Sequence, residues 1–401
     1  MSIEIKEVRT RRQLRKFVNF PEKLYKDNPY YVPPLVFDQM DTLDQKKGAA
    51  QEFCDSKLYL AYKDGELAGR VAAIVNHLAN KQWDHKEVRF GWYDFIDDPE
   101  VARALMDKVE EFGRQYGMES VVGPLGFTDF DPEGLLVEGF DRLSTMALIY
   151  NHPYYVKYIE DMGFTKDADW IEFKMEIPEK LPDRIDRICN IIQERNNVHL
   201  RQITRRIVRE EDYGHKIFKA INECYKNLYN YTVLPDHMAE KYLDFYLSIL
   251  DLRYISVVEN DKNELVAFGI SMPSIVRALQ KSRGKLFPFG WFHLLKALFF
   301  KHPDTLDLLL VGVKTEYQSK GVNALLFTDL IPIYMKMGFK YGETNPELES
   351  NSKVQAVFET KIEELTREVR EHNNFARRMP VVEEQIKVLD HRISDLEEAQ
   401  K

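Results

Sequence analysis

The order of elements read from hydrophobic periodicity runs through the chain twice, and this recurrence restricts the fold more than any single motif does. Ile3 to Val8 alternates as a half-buried strand. Leu58 to Tyr62 and Leu67 to Val75, joined by Lys63-Asp64-Gly65-Glu66, predict a β-hairpin. Val88 to Phe95 reads as a third strand. Asp97-Asp98-Pro99-Glu100 then opens a helix, because carboxylates and proline suit a first turn. Ser120 to Gly123 is a short buried strand, Pro153 opens another helix, and Trp170 to Ile177 alternates as a closing strand. After a polar helical connector the order returns. A strand at His199 to Thr204 precedes helices at Tyr213 to Tyr229 and His237 to Leu250. A hairpin of Arg253 to Glu259 and Leu265 to Met272 follows, then an apolar strand, Leu306 to Val313, a helix, Val322 to Met337, and a short strand, Lys340 to Thr344. The register is too loose for a sequence repeat, but the order predicts two copies of one α/β (α+β) fold, each a mixed sheet flanked by helices. The expected boundaries are 1–178, a connector at 179–197, 198–358, and a helical tail at 359–401.

A chain of 401 residues has room for two such domains, and 44% hydrophobic residues supply their cores, which excludes a mostly disordered chain. Lys plus Arg number 56 against 65 Asp plus Glu, so the net charge of −9 argues against a general nucleic-acid partner. The most apolar run, Trp291 to Phe300, is too short to span a bilayer and is broken by His293 and Lys296, so no membrane partner is expected. The first residues lack the apolar segment of a signal peptide. Cys54, Cys189 and Cys224 are far apart and fit neither a disulfide framework nor zinc spacing. The expectation is a cytoplasmic protein with reduced thiols and no bound metal.

The sharpest local signal is Leu310-Val311-Gly312-Val313-Lys314-Thr315-Glu316-Tyr317-Gln318-Ser319-Lys320-Gly321-Val322-Asn323-Ala324. An apolar strand runs through a polar loop directly into a helix. Backbone N–H groups at a helix start point outward without partners and favour phosphate. Gly321 lets the backbone approach an anion, and Lys320 adds charge. An ordinary strand-to-helix turn with a solvated lysine is the plainer reading of the loop alone.

This passage resembles the acetyl-CoA-binding loop of the GNAT superfamily of N-acyltransferases, Arg/Gln-x-x-Gly-x-Gly/Ala. Gln318 and Gly321 match its first two fixed positions, and Asn323 departs at the last. The resemblance continues through Tyr341-Gly342-Glu343-Thr344-Asn345 and Glu349-Ser350-Asn351. In the first half it covers Leu58 to Val75, Phe90 to Phe95 and Met162-Gly163-Phe164. Gly123-Pro124-Leu125-Gly126-Phe127, Gly134 to Phe140 and Tyr150-Asn151-His152-Pro153-Tyr154-Tyr155 resemble a bacterial group of tandem GNAT-like proteins. The likeness spans roughly residues 1 to 358. It implies two tandem GNAT-like domains. It also implies acetyl-CoA or another acyl-CoA as co-substrate, with its pyrophosphate on Gln318, Ser319, Lys320, Gly321, Val322 and Asn323. Val311 and Val313 would then pair with its pantetheine arm.

The halves differ. At the matching place the first half has Ile96-Asp97-Asp98-Pro99-Glu100, with no glycine and three carboxylates. Like charges a few ångströms apart cost about 1–4 kcal/mol each near a surface, so this half is expected not to bind CoA in the usual way. Acyl transfer to an amine needs a proton acceptor. Glu343, on the short strand beside the CoA strand, is the candidate; a solvated strand-end carboxylate is the alternative. The family often places a proton-donating tyrosine in its last helix, and residues 352–358 contain none. Tyr154 and Tyr155 either line a substrate cleft or pack against the sheet, and packing is expected. The aromatic run Leu286 to Leu295 is expected to be core or domain interface rather than a lid, and Asn28 to Pro34 an ordered loop.

Acyl-CoA-dependent N-acyl transfer, such as acetyl transfer, to a small-molecule or peptide amine is therefore the leading expectation. The alternatives are a Fem-like aminoacyl or peptidyl transferase, for which Arg201 to Arg209 would supply a basic patch, and a non-catalytic binding or scaffold protein. In the tail, Phe358, Ile362, Leu365 and Val369, then Val382, Ile386, Leu389, Ile393 and Leu396, form apolar stripes on either side of Pro380. They suit a coiled-coil-like homodimer contact or packing on the chain's own domains. No sequence is apparent that would close the second sheet, so its edge is expected to be replaced by the tail or left for a partner.

Overall fold

The computed structural model describes residues 2–143, 145–181, 185–237, 250–300 and 303–351; the expected helix after His237 and the tail stripes lie outside them. The first half comprises β1 (Ile3–Glu7), α1 (Arg11–Leu24), α2 (Val36–Thr42), β2 (Cys54–Lys63), β3 (Glu66–Asn76), α3 (His77–Trp83), β4 (Glu87–Phe95), α4 (Pro99–Gln115), β5 (Ser120–Val122) and α5 (Tyr154–Asp161). Its sheet runs β1-β2-β3-β4-β5, antiparallel until the parallel pair β4–β5. Alternation sorts the strands' side chains onto two faces. Leu58, Leu60, Ala72 and Ile74 pack with α1 and α2, while Ala61, Val71, Ala73 and Val75 pack with α4 and α5. Helix α1 starts at a capping box in which Thr10 and Gln13 satisfy each other's backbone N–H groups.

The second half contains β6 (Trp170–Ile171), β7 (Lys174–Glu176), α6 (Ile185–Asn196), β8 (Val198–Arg201), α7 (Arg205–Glu210), α8 (Tyr213–Tyr225), β9 (Ile255–Asn260) and β10 (Leu265–Pro273). It continues through α9 (Val276–Ser282), α10 (Gly290–Leu295), β11 (Thr305–Val313), α11 (Val322–Met337), β12 (Tyr341–Thr344) and β13 (Glu347–Leu348). Strands β8 to β12 repeat the order and directions of β1 to β5, including the terminal parallel pair.

One strand goes elsewhere than its sequence position implies. Residues 170–177, expected to close the first sheet, pair with the second half instead. β7 adds antiparallel to β12, with Tyr341 opposite Glu176 and Glu343 opposite Lys174, and β6 pairs with β13. The edge expected to be left for the tail or a partner is thus covered from within the chain. Alternation fixes a strand's faces but not which sheet it joins.

The halves share more than this strand. Asn76 donates to the Phe127 carbonyl (2.8 Å) and to Thr232 Oγ1 (3.0 Å), and Arg89 Nη2 reaches the carbonyl and Oδ1 of Asn230. Phe218 and Leu234 lie in one core cluster with Leu14, Phe17 and Leu58. The Asn28–Pro34 loop is an interface element: Gln280 donates to the carbonyls of Pro29 and Tyr31, and Val36 N donates to Gly284 O at 2.9 Å. A Cβ at Gly284 would stand 2.0 Å from the Pro34 carbonyl oxygen, on a backbone with φ +69°. Gly284→Ala is therefore expected to destabilise the protein by about 1–3 kcal/mol in urea unfolding, through the clash and the left-handed backbone together.

Candidate functional site

The two strand–loop–helix junctions are built oppositely. After β11 the chain makes one turn of 3₁₀ helix, passes Ser319 at φ 60° and Gly321 at φ 77°, and enters α11. No side chain caps this helix, and its first turn carries no acid. The first N–H groups of a sixteen-residue helix therefore have no side-chain cap beside Lys320, and the Ala324 N–H bonds back to Gly321 O. Gln318 turns back to donate to the Val313 carbonyl at 3.1 Å, and Asn196 of α6 donates to the Lys320 carbonyl. After β4, by contrast, Asp98 caps α4 with its own carboxylate, accepting from the N–H groups of Glu100 and Val101. Lys63 pairs with that carboxylate, and Asp97 accepts from the Tyr158 hydroxyl at 2.6 Å. The place of an anion is taken by the protein itself.

Both halves carry a bulge in the strand that precedes this junction. The β10–β11 register shifts between Ile270 and Ser271, leaving Leu309 as the extra residue, and the β3–β4 register shifts between Arg70 and Ala72. Beyond Leu308 and Thr344, β11 and β12 part, which opens the edge of residues 309–313. In the first half the matching edge is filled. Leu125 N donates to Phe90 O, Tyr154 donates to Phe95 O at 2.7 Å, and Tyr155 Oη accepts from Phe95 N at 2.9 Å. Tyr155 also meets Tyr25 Oη at 3.1 Å, inside a buried network with Asp94 and Arg70. Tyr154 and Tyr155 thus pack on the first sheet and lie apart from the second-half loop.

In the second half the parted edge is only lightly held. Asn345 Nδ2 donates to Leu309 O at 2.8 Å, and the Tyr225 hydroxyl donates to Val311 O at 2.8 Å. Val311 and Val313 pack on the side of α6 and α11. Glu347, on β13, stands close enough to raise the Tyr225 phenol, which burial already raises. Burial pushes the Glu347 carboxyl up to about 7. Tyr225 and Glu347 were not legible as site residues, because α8 and β13 reach the cleft only through the fold.

Glu343 is largely buried, its Oε1 2.6 Å from Lys174 Nζ of β7. Beside it in the parallel register lies Asp307, wholly buried, with neither carboxylate oxygen in a hydrogen bond. Desolvation first, then Glu343 and Glu172, pushes the Asp307 carboxyl up to about 8, against a lowering by the nearby Ser274 hydroxyl. Arg201, Arg205 and Arg209 line a separate cavity of about 1070 Å³ with Asp212, Asp251 and Phe299. Arg201 there pairs with Glu211 at 2.7 Å, so the basic run is partly neutralised. No group of acidic, histidine or cysteine side chains suited to a metal occurs among the described residues.

A carboxyl that ionises near pH 8 when folded and near 3.9 when unfolded keeps its proton in the native state while the unfolded chain has lost it. Its contribution to stability is complete below about pH 4 and is lost as pH rises through about 8. Asp307→Asn keeps the shape and removes the titration. Urea unfolding should show it more stable than the native sequence at pH 8, by about 1 kcal/mol or more, with the difference shrinking as pH falls and vanishing below about pH 4.

No protein-family model matches the chain. It is 28% identical over 322 residues to Protein YghO of Escherichia coli (strain K12), spanning 79% of this chain and 80% of that protein. It is 25% identical over 362 residues to the bacterial ceramide synthase of Caulobacter vibrioides, spanning 88% and 92% respectively. Among solved structures, a tandem GNAT protein from the clavulanic acid biosynthesis pathway covers 89% of this chain and 93% of its own, at 11% identity and a TM-score of 0.49. In this chain itself, five strands in the same order end twice in a parallel pair, with a bulged strand leading through a loop into a helix. The chain is a tandem of two halves of the same strand order, tied together by the passage of β7 from the first half into the second sheet.

Proposed function

We propose that the protein is an acyl-CoA-dependent N-acyltransferase whose co-substrate binds to the second half alone. The observation that carries this reading is the contrast between the two helix starts: α11 is uncapped behind Ser319 and Gly321, whereas α4 is closed by Asp98. Residues Gln318, Ser319, Lys320, Gly321, Val322 and Asn323 would hold the pyrophosphate, and the open edge at Val311 and Val313 would take the pantetheine arm. For that arm to pair with Val311 O, the Tyr225 hydroxyl has to give up its present bond. Acetyl-CoA and longer acyl-CoA both fit this description. The relative named a ceramide synthase points toward the longer acyl chain and a long-chain amine as acceptor.

The amine nitrogen forms the new C–N bond as the C–S bond breaks, so the nitrogen sheds one proton and the departing sulfur takes one up. Two carboxylates are candidates for the acceptor of the first. One Glu343 carboxylate oxygen is already engaged by Lys174 Nζ at 2.6 Å. Glu347 ionises near neutrality beside the open edge, as a general base should, and we assign it that role. Tyr225 is the hydroxyl placed to supply the second proton.

A non-catalytic binding protein is the second reading, favoured by one observation: Tyr225 and Asn345 already occupy the Val311 and Leu309 carbonyls. Calorimetry with CoA separates the two. Binding that Gly321→Asp abolishes and Asp98→Gly leaves unchanged supports the enzyme reading; no binding at millimolar CoA defeats it. With turnover in hand, Glu347→Gln should lower it by about 10²–10⁴ and leave CoA affinity intact. If Glu343→Gln has that effect and Glu347→Gln does not, Glu343 is the base.

A further inference from the structure

From the segment between β10 and β11 we infer that the protein docks on the surface of an anionic lipid membrane through residues 286–300. In the first half the matching connection spans only α3 and a short turn, whereas here thirty-one residues separate Pro273 from Thr305. Sequence reasoning expected its aromatic run to be core or interface. The structure puts Leu294 and Leu298 inside, with Leu286 and Ala297 packed against their core, and the aromatics outside: Phe287 is 80% exposed, Phe289 71% and Phe300 82%. Of the twelve large apolar side chains exposed among the described residues, seven lie between Phe287 and Phe300. Scattered exposed apolar residues are normal; a contiguous set on one protruding element marks an interaction surface.

Charge says which surface. Residues 274–302 contain six Lys and Arg and neither Asp nor Glu, in a chain whose net charge is −9. Lys281, Arg283, Lys285 and Lys296 are exposed around the aromatic tip. Phe and Trp facing outward within a collar of Lys and Arg are the pattern of elements that lie in a bilayer interface, apolar tips below the headgroups and cations among anionic phosphates. No helix of the described residues is long and apolar enough to cross a membrane, so the contact is with its surface.

The tip is not a loose loop. Gln280 and Gly284 fasten its root to the first half, Lys285 pairs with Glu22 at 2.7 Å, and a Cβ at Gly290 would meet the Lys285 carbonyl oxygen at 1.7 Å. Leu294 and Leu298 anchor its inner side in the core that holds Leu309. Phe299, on the exposed side, also lines the cavity that contains Arg201 and Arg205, so the apolar surface continues inward.

The inference rests on this surface and not on the acyl-transfer reading. The full-length chain is mixed with vesicles of equal parts phosphatidylglycerol and phosphatidylcholine, or of phosphatidylcholine alone, and floated through a density gradient. It should float with the anionic vesicles and much less with the neutral ones. Phe287→Ser/Phe289→Ser/Phe300→Ser should weaken partitioning about a hundredfold. Lys281→Ser/Lys296→Ser should weaken it on anionic vesicles only, and most at low salt. These side chains are exposed, so thermal melts and CoA calorimetry should match those of the native sequence. A native chain that stays at the bottom with both vesicles overturns the inference. So does a triple-serine variant that floats as well as the native chain, or a dimer that those substitutions split, because the surface would then belong to a second copy.

Discussion

The pairing of β7 with β12 is the contact on which the second half depends. β12 has four residues and only a four-residue parallel ladder to β11. Its other edge would leave backbone donors and acceptors in water or open to foreign strands. β7 supplies the missing partner, and the pairing extends past the strand ends, where Ile177 N donates to Lys340 O and Thr344 N to Phe173 O. The Phe173 N–H in turn donates to Thr344 Oγ1. Lys174 meets Glu343 at the last rung, one rung before β11 and β12 part. Asn345 and Glu347 hang from this ladder, so the shape of the cleft is set by a strand that arrives from the other half.

One topology gives two different helix starts, because a helix start can be satisfied from within or left without a side-chain partner. The backbone geometry before α4 and α11 differs little in kind: a bulged strand, a short loop, a helix of comparable length. Asp98 supplies a fixed anion to α4, together with Lys63. An N-cap of this sort is worth about 1 kcal/mol and excludes a phosphate from the same donors by charge and by space. α11 forgoes that stabilisation and holds Ser319 in the left-handed region as well, a conformation that costs about 1 kcal/mol or more for a residue other than glycine. Strain and an uncapped helix thus occur at the same place, unlike at the start of α4.

Much of this was readable in the sequence because it is local. The hairpins, the helix starting at Pro99, the strand Leu306 to Val313 and the helix Val322 to Met337 follow from period and turn chemistry, and each is found within a few residues of where those signals put it. The acidic junction at Asp97 to Glu100 was equally plain. What stayed hidden is non-local. Nothing in Lys174-Met175-Glu176 says which sheet it joins. Asp307 sits in an apolar strand as the inward residue of a register known only once β12 is placed. Tyr225 looks like one more stripe residue of its helix. The run Leu286 to Leu295 misled for a different reason: apolar density measures the tendency to leave water, and here much of that surface is covered by nothing in the described chain.

The position of that surface bears on the cleft. The segment leaves β10 at Pro273 and rejoins β11 at Thr305, at the end of the strand opposite the loop of Gln318 to Gly321. Between those ends lies the bulge at Leu309, and Leu309 shares its core with Leu294 and Leu298 from the inner side of the aromatic segment. A packed core does not deform continuously; it holds its neighbours in one arrangement or shifts to another. The orientation of the exposed aromatics is therefore tied through two leucines to the strand that opens the cleft. The uncapped start of α11 at one end of β11 and an outward apolar face at the other give that strand a polar end and an apolar end, with the parted edge between them.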